Sequence, residues 1–113
     1  MSGLEQALTT VRAAYKFGRT TRLTLQARDD AGAPINLTDR TLEVKLAPGE
    51  LSTNVVTATS GVLSATAGTL FWEVTQANLT TLGNVNNVWT VVNIYNGDNT
   101  LAYEAFGVIE VRL

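Results

Sequence analysis

Of the residue types that usually carry chemistry, His and Cys are missing from this chain of 113 residues, and its ten Asp and Glu are scattered. Nucleophilic catalysis needs a Ser, Thr or Cys beside a base, and no Ser here has a His to serve it. Two-carboxylate hydrolysis needs a pair of acids flanking one bond. The strand-like segments offer Glu73, Glu104 and Glu110. Glu104 and Glu110 share a face, but at strand rise they stand about 20 Å apart, too far to flank one bond. The pair Asp29-Asp30 with Asp39 is the candidate for a calcium loop. Their spacing fits no cation-binding pattern, and Asp-Asp ahead of Gly32 and Pro34 is turn composition. No Gly-rich phosphate loop is present. The expectation is a protein without catalytic residues, cofactor or metal, acting through its surfaces.

Two features suit a binding surface. Trp72 and Trp89 sit in the two most apolar runs, Leu70–Val74 and Asn87–Tyr95. Core packing is the ordinary use of such rings. Both runs are apolar on both faces, through Phe71 beside Trp72 and Val88 beside Trp89, which leaves one ring to be exposed or to lie in a subunit interface. The second feature is a basic segment. Residues 1–28 carry Arg12, Lys16, Arg19, Arg22 and Arg28 against Glu5 alone, a net +4, while residues 29–113 carry nine acids against three bases, a net −6. Charge separation of this kind sets partner choice and register. Nucleic acid is not the expected partner, because the bases are few and the remainder is acidic.

These features must be positioned by short elements. Leu4, Ala7 and Leu8 share a face at helical spacing, enough for a turn or two. From Thr10 the period changes to two: Val11, Ala13, Tyr15 and Phe17 alternate with Arg12, Ala14 and Lys16 until Gly18. Leu23, Leu25 and Ala27 then alternate with Arg22, Thr24, Gln26 and Arg28, a half-buried strand ended by the turn Asp29–Pro34. A second strand places Leu42, Val44 and Leu46 inward and ends at Pro48-Gly49. Val55–Thr59 and Gly61–Ala67 are weaker strands separated at Ser60-Gly61. Leu70, Trp72 and Val74 alternate in the next. Residues 76–83 read as one helical turn capped by Gly83. Asn87–Tyr95 is a strand, and Asn96-Gly97-Asp98-Asn99 predicts a hairpin with a type I′ turn. The last strand is expected to place Leu101, Tyr103, Ala105, Gly107, Ile109, Val111 and Leu113 on one face, with Glu104, Glu110 and Arg112 on the other. It, like the segment Val11–Phe17, is suited to pairing with another chain.

About seven short strands and a single helical turn predict an all-β antiparallel sandwich, residues 20–113, preceded by an N-terminal arm, residues 1–19. The length is that of one domain. At 45% hydrophobic and 16% charged residues the chain is globular. Without cysteines it has no disulfides, so a reducing cytoplasm is the simpler place to fold. Met1–Leu8 has no basic start followed by an apolar run, so no signal peptide is expected. No stretch approaches the roughly eighteen apolar residues of a membrane span. The Asn36 and Asn78 sequons are therefore expected to be incidental.

The order of these segments resembles the immunoglobulin-like domains of tailed-phage virions. Those read as a strand, an Asp-x-x-Gly-x-Pro turn, an Ile-Asp/Asn-Leu-Thr step and a second strand. Here the match is Leu23–Thr38, with Asp29, Gly32, Pro34 and Ile35-Asn36-Leu37-Thr38, then Leu42–Leu46. Gly68–Thr75 follows, then a Leu-containing helical turn and a long hairpin. The N-terminal domain of phage baseplate upper proteins has this order, as do related fibre, neck and head-decoration modules. The resemblance covers roughly residues 20–113. The baseplate protein continues into a long C-terminal region that has no counterpart here, and residues 1–19 have no match. The resemblance implies a virion structural protein of the baseplate, neck or tail fibre, assembled in the host cytoplasm in symmetric copies. Capsid decoration is the alternative, and a glycan-reading adhesin module is another. The resemblance carries no catalytic residues across. The residues expected at the partner contact are Arg12, Lys16 and Arg19 for polar contacts, and Leu4, Leu8, Tyr15 and Phe17 for apolar ones.

Overall fold

In the computed structural model, residues 20–29, 31–49 and 52–110 are described. The predicted helical turn and strand of the arm lie outside them, as do Leu4, Leu8, Arg12, Tyr15, Lys16, Phe17 and Arg19.

Period-two alternation becomes strand wherever one face can be buried. In β1, Thr21–Gln26, Leu23 and Leu25 are buried while Arg22 and Thr24 are exposed. The chain then reverses at Asp29. Its Oδ1 accepts from the Ala31 and Ala33 amides, both at 2.9 Å, and Gly32 takes φ +85°. Asp29 is thus committed to its own turn. Beyond it come β2, Thr41–Ala47, β3, Val56–Ala58, and β4, Ser60–Ser64. Thr59 alone separates β3 from β4, and there the chain passes from one sheet to the other. The expected break at Ser60-Gly61 therefore falls one residue early. Gly61 belongs to the strand because the Phe71 ring lies over it, and a Cβ there would meet Phe71 Cε1 at 2.7 Å.

β5, Thr69–Val74, buries Leu70, Trp72 and Val74. Helix α1, Gln76–Thr81, follows at once. Thr75 and Asn78 cap it reciprocally: the Asn78 amide donates to Thr75 Oγ1 and the Thr75 amide to Asn78 Oδ1, both at 3.0 Å. At the other end Gly83, φ +88°, donates to the Thr80 carbonyl and Asn84 to that of Leu79, closing the helix as expected. Leu79 and Leu82 are buried and seal one end of the core. β6, Asn87–Tyr95, and β7, Leu101–Glu110, form the long hairpin.

The seven strands make two antiparallel sheets, β1-β5-β4 and β3-β2-β6-β7. This β-sandwich has the immunoglobulin strand order B-E-D against C′-C-F-G, with no A strand among the described residues. Trp72, fully buried on β5, shares the core with Val44, Leu46, Val92 and Ile94 of the opposite sheet.

The hairpin departs from expectation. Gly97 and Asp98 do not have positive φ; Asn99 does, at +67°. The Asn99 amide donates to the Asn96 carbonyl and the Asn96 amide to that of Thr100. This is a three-residue loop with a left-handed third residue, not a type I′ turn. A bulge follows, pairing Tyr95 with Leu101 and Ile94 with Tyr103. Leu101, expected on the same face as Tyr103 and Ala105, consequently lies on the opposite, outer face and is 45% exposed.

Candidate docking face

The register of β2, β6 and β7 arranges the outer face of the four-stranded sheet in cross-strand rows. Ala47, Trp89 and Val108 form the first; Lys45, Val91 and Phe106 the second; Glu43, Asn93 and Glu104 the third; Thr41, Tyr95 and Leu101 the fourth. Two rows are mainly apolar, and the third carries two carboxylates. The inner face of the same strands holds Val44, Leu46, Val88, Val92 and Ile94, so β6 is apolar on both sides at its Trp89 end.

Trp89 and Phe106 touch across β6 and β7, with ring centroids 5.3 Å apart and planes tilted by 42°. Both rings are half-buried. The β2–β3 loop rises beside them, tied down by Asn54 Nδ2, which donates to the Thr81 carbonyl of α1 at 2.8 Å. Between loop and sheet lies an open cleft of about 160 Å³ lined by Lys45, Ala47, Gly49, Ser52, Val55, Trp89, Val91 and Phe106. Val55 is 46% exposed at its rim. Among the described residues its only charged wall is Lys45, which suits an apolar or aromatic group.

The adjoining rows are polar and partly satisfied. The Tyr95 hydroxyl donates to Glu43 Oε1 at 3.2 Å, and Lys45 Nζ lies 3.5 Å from the same oxygen. Desolvation, then the Glu43 charge and its hydrogen bond, raise the Tyr95 pKa above its ordinary value. Asn93 is only 9% exposed although it points outward, and its Oδ1 has no hydrogen-bond partner. A buried acceptor left in this state is costly unless a donor arrives.

The opposite face of the sandwich is closed on itself. The Arg22 guanidinium lies 4.1 Å from the centre of the Phe71 ring, and Arg22 Nη2 is 3.7 Å from Glu73 Oε2. Phe71 is thus stacked between Arg22 and Gly61. Exposed apolar groups on this sheet are Val62 and Leu63, on its β4 edge.

The other candidates do not converge. Trp72 is in the core, so Trp89 is the ring that reaches the surface. Glu73 faces away from Glu104 and Glu110, on the other sheet. Asp30 lies outside the described residues and Asp39 sits in a left-handed turn at φ +60°. Among the described residues no three His, Cys, Asp or Glu are grouped to hold a metal ion, and no helix is long and apolar enough to cross a membrane. The sequon residue Asn36 accepts from the Thr38 amide at 2.9 Å, and Asn78 caps α1. Phe106 went unrecognised in the sequence. Its signal was the two-residue step from Glu104, which puts it on the outer face.

The chain matches no protein-family model and no curated protein.

Proposed function

We propose that this chain is a non-catalytic assembly module, a structural protein of a tailed-phage virion that joins its neighbours through the outer face of the four-stranded sheet. The observation that carries the docking role is the cleft at Trp89 and Phe106, two half-buried aromatic rings flanked by Val91 and Val55 and bordered by an acidic row. Aromatic anchors in a depression with a polar border are the usual composition of a protein interface centre. The virion assignment rests on the resemblance of Leu23–Leu46 and Gly68–Thr75 to virion immunoglobulin-like domains; baseplate, neck or tail fibre comes first, capsid decoration second.

Light scattering on a sizing column tests the reading. The full chain is expected as a defined oligomer, and Val91→Glu, which places a charge in the cleft, as a folded monomer. An unchanged oligomer from the variant would remove this face from the assembly.

Half-exposed Trp89 beside Phe106 also favours a second reading, a glycan-binding module in which a sugar stacks on the indole. Quenching or shifting of tryptophan emission by added oligosaccharides would support it, and emission indifferent to them would reject it.

A further inference from the structure

We propose that the occupant of this face is the segment Tyr15–Arg19 of a second copy of the chain, lying along β6. The proposal rests on the assembly reading and names its contact.

The argument is one of matching periods. In an extended segment, side chains on one side recur every second residue, about 6.6 Å apart. On one side of the arm the sequence reads Val11, Ala13, Tyr15, Phe17, Arg19: apolar throughout, then a cation. Along β6 the outward rows read Trp89, Val91, Asn93, with Phe106 and Lys45 on either side of the second, and Glu104 and Glu43, the latter 3.5 Å from Lys45 Nζ, on either side of the third. Along its β6–β7 side the face is thus apolar, apolar, acidic at the same step. Tyr15 then meets Trp89, Phe17 meets Val91 and Phe106, and Arg19 enters between the two glutamates. There its guanidinium supplies the donor that Asn93 Oδ1, buried and unpartnered, lacks.

Reach decides which copy supplies the arm. Arg19 is adjacent to Thr20, which leads into β1 of the three-stranded sheet. One residue spans 3.8 Å. The outer face of the other sheet lies beyond an inter-sheet spacing of about 10 Å. A chain's own Arg19 cannot occupy this seat, whereas a neighbour's can. Each copy gives one arm and receives one, a head-to-tail contact that closes into a ring or grows into a longer array.

The absence of cysteine makes the test clean. Ala13→Cys and Asn87→Cys, placed one step outside the predicted contact, are made in full-length chains of different tag mass, mixed and mildly oxidised. A disulfide joining the two kinds of chain is expected. A bond formed within single chains carrying both substitutions, or only between two Asn87→Cys chains, would overturn the proposal. So would a defined oligomer that forms no cross-link, while leaving the assembly reading intact; a monomer at all concentrations would remove both. A charge exchange adds a second readout. Arg19→Glu and Glu104→Arg are each expected to weaken association at least tenfold, and the two together to recover most of it. Failure of the pair to recover would place Arg19 elsewhere.

Discussion

Trp72 and Trp89 divide the two uses of an indole between them. Trp72 has no exposure, and its Nε1 has no hydrogen-bond partner. The ring is kept for its volume, at the cost of an unpaired donor. Trp72→Ala is therefore expected to cost about 3–5 kcal/mol in chemical denaturation, the usual penalty for emptying an aromatic core site. Trp89, half-buried on the outer face, is expected to supply the emission that acrylamide quenches in the Val91→Glu monomer, where that face is uncovered. Trp89→Phe should leave a blue-shifted, quencher-resistant spectrum and little change in unfolding midpoint. If quenching survives the substitution, Trp89 is not the accessible ring. Tyr95 adds a pH signature. Its folded pKa is raised by desolvation and by Glu43. The neutral phenol is thus favoured in the folded state, so its stabilising contribution is complete below the unfolded value of about 10 and is lost as pH rises through the folded one. The denaturation midpoint should fall as pH rises above about 10, and fall less in Tyr95→Phe. Equal slopes for the two proteins would deny the Tyr95–Glu43 contact.

Among the elements, the β6–β7 hairpin gives the sharpest contrast. A type I′ turn would need positive φ at Gly97; the loop instead puts it at Asn99, φ +67°. Gly97→Ala meets nothing nearer than the Asp39 carbonyl oxygen at 3.5 Å. It should be neutral, or stabilising by up to about 1 kcal/mol through the unfolded chain. Asn99→Val should cost about 1–2 kcal/mol, because a β-branched residue resists the left-handed region. The reverse order in thermal melts would restore the type I′ turn. The same loop has an acid-sensitive clasp: Asp98 Oδ1 accepts from Thr100 Oγ1 at 2.6 Å and from the Thr100 amide at 3.0 Å, which lowers its pKa. The clasp holds above the ordinary carboxylate range and is released as pH falls through the depressed value. These details show what was legible in the residues. Alternation at Leu23–Ala27, Leu42–Leu46 and Leu70–Val74 announced strands and their buried faces, because period two leaves no other way to bury one side. The Asp29–Pro34 turn and the Gly83 cap were equally plain, since backbone chemistry there is local. The turn type at Asn96–Asn99, the bulge that turns Leu101 outward and the strand break at Thr59 were not. The first two depend on the cross-strand register of β6 and β7, and the third on which sheet each strand joins. The docking face was half legible: Trp89 was singled out, but its pairing with Phe106 exists only once β6–β7 register is set.

For the molecule as a whole, the governing fact is charge separated along the chain, +4 over residues 1–28 and −6 over residues 29–113. Part of that positive charge is already used within the domain, where Arg22 pairs with Phe71 and Glu73. The sequence before residue 20 carries Arg12, Lys16 and Arg19, and the domain presents Glu104, and Glu43 beside Lys45, on its outer face. An assembly joined by these groups gains from both apolar burial and charge, and the two respond oppositely to salt. Screening length shrinks from about 10 Å at 0.1 M to about 3 Å at 1 M, weakening attraction between exposed charges. Excluded salts such as sulfate strengthen apolar burial. The dissociation constant, measured by analytical ultracentrifugation, is therefore expected to rise about tenfold between 0.1 M and 1 M sodium chloride, and to rise less in sodium sulfate of equal ionic strength. Removing Arg19 as Arg19→Ala should flatten the chloride dependence while leaving the sulfate difference, which belongs to Tyr15, Phe17 and Trp89. Association that is indifferent to chloride from the outset would assign the contact to the apolar rows alone and leave the charge separation to solubility.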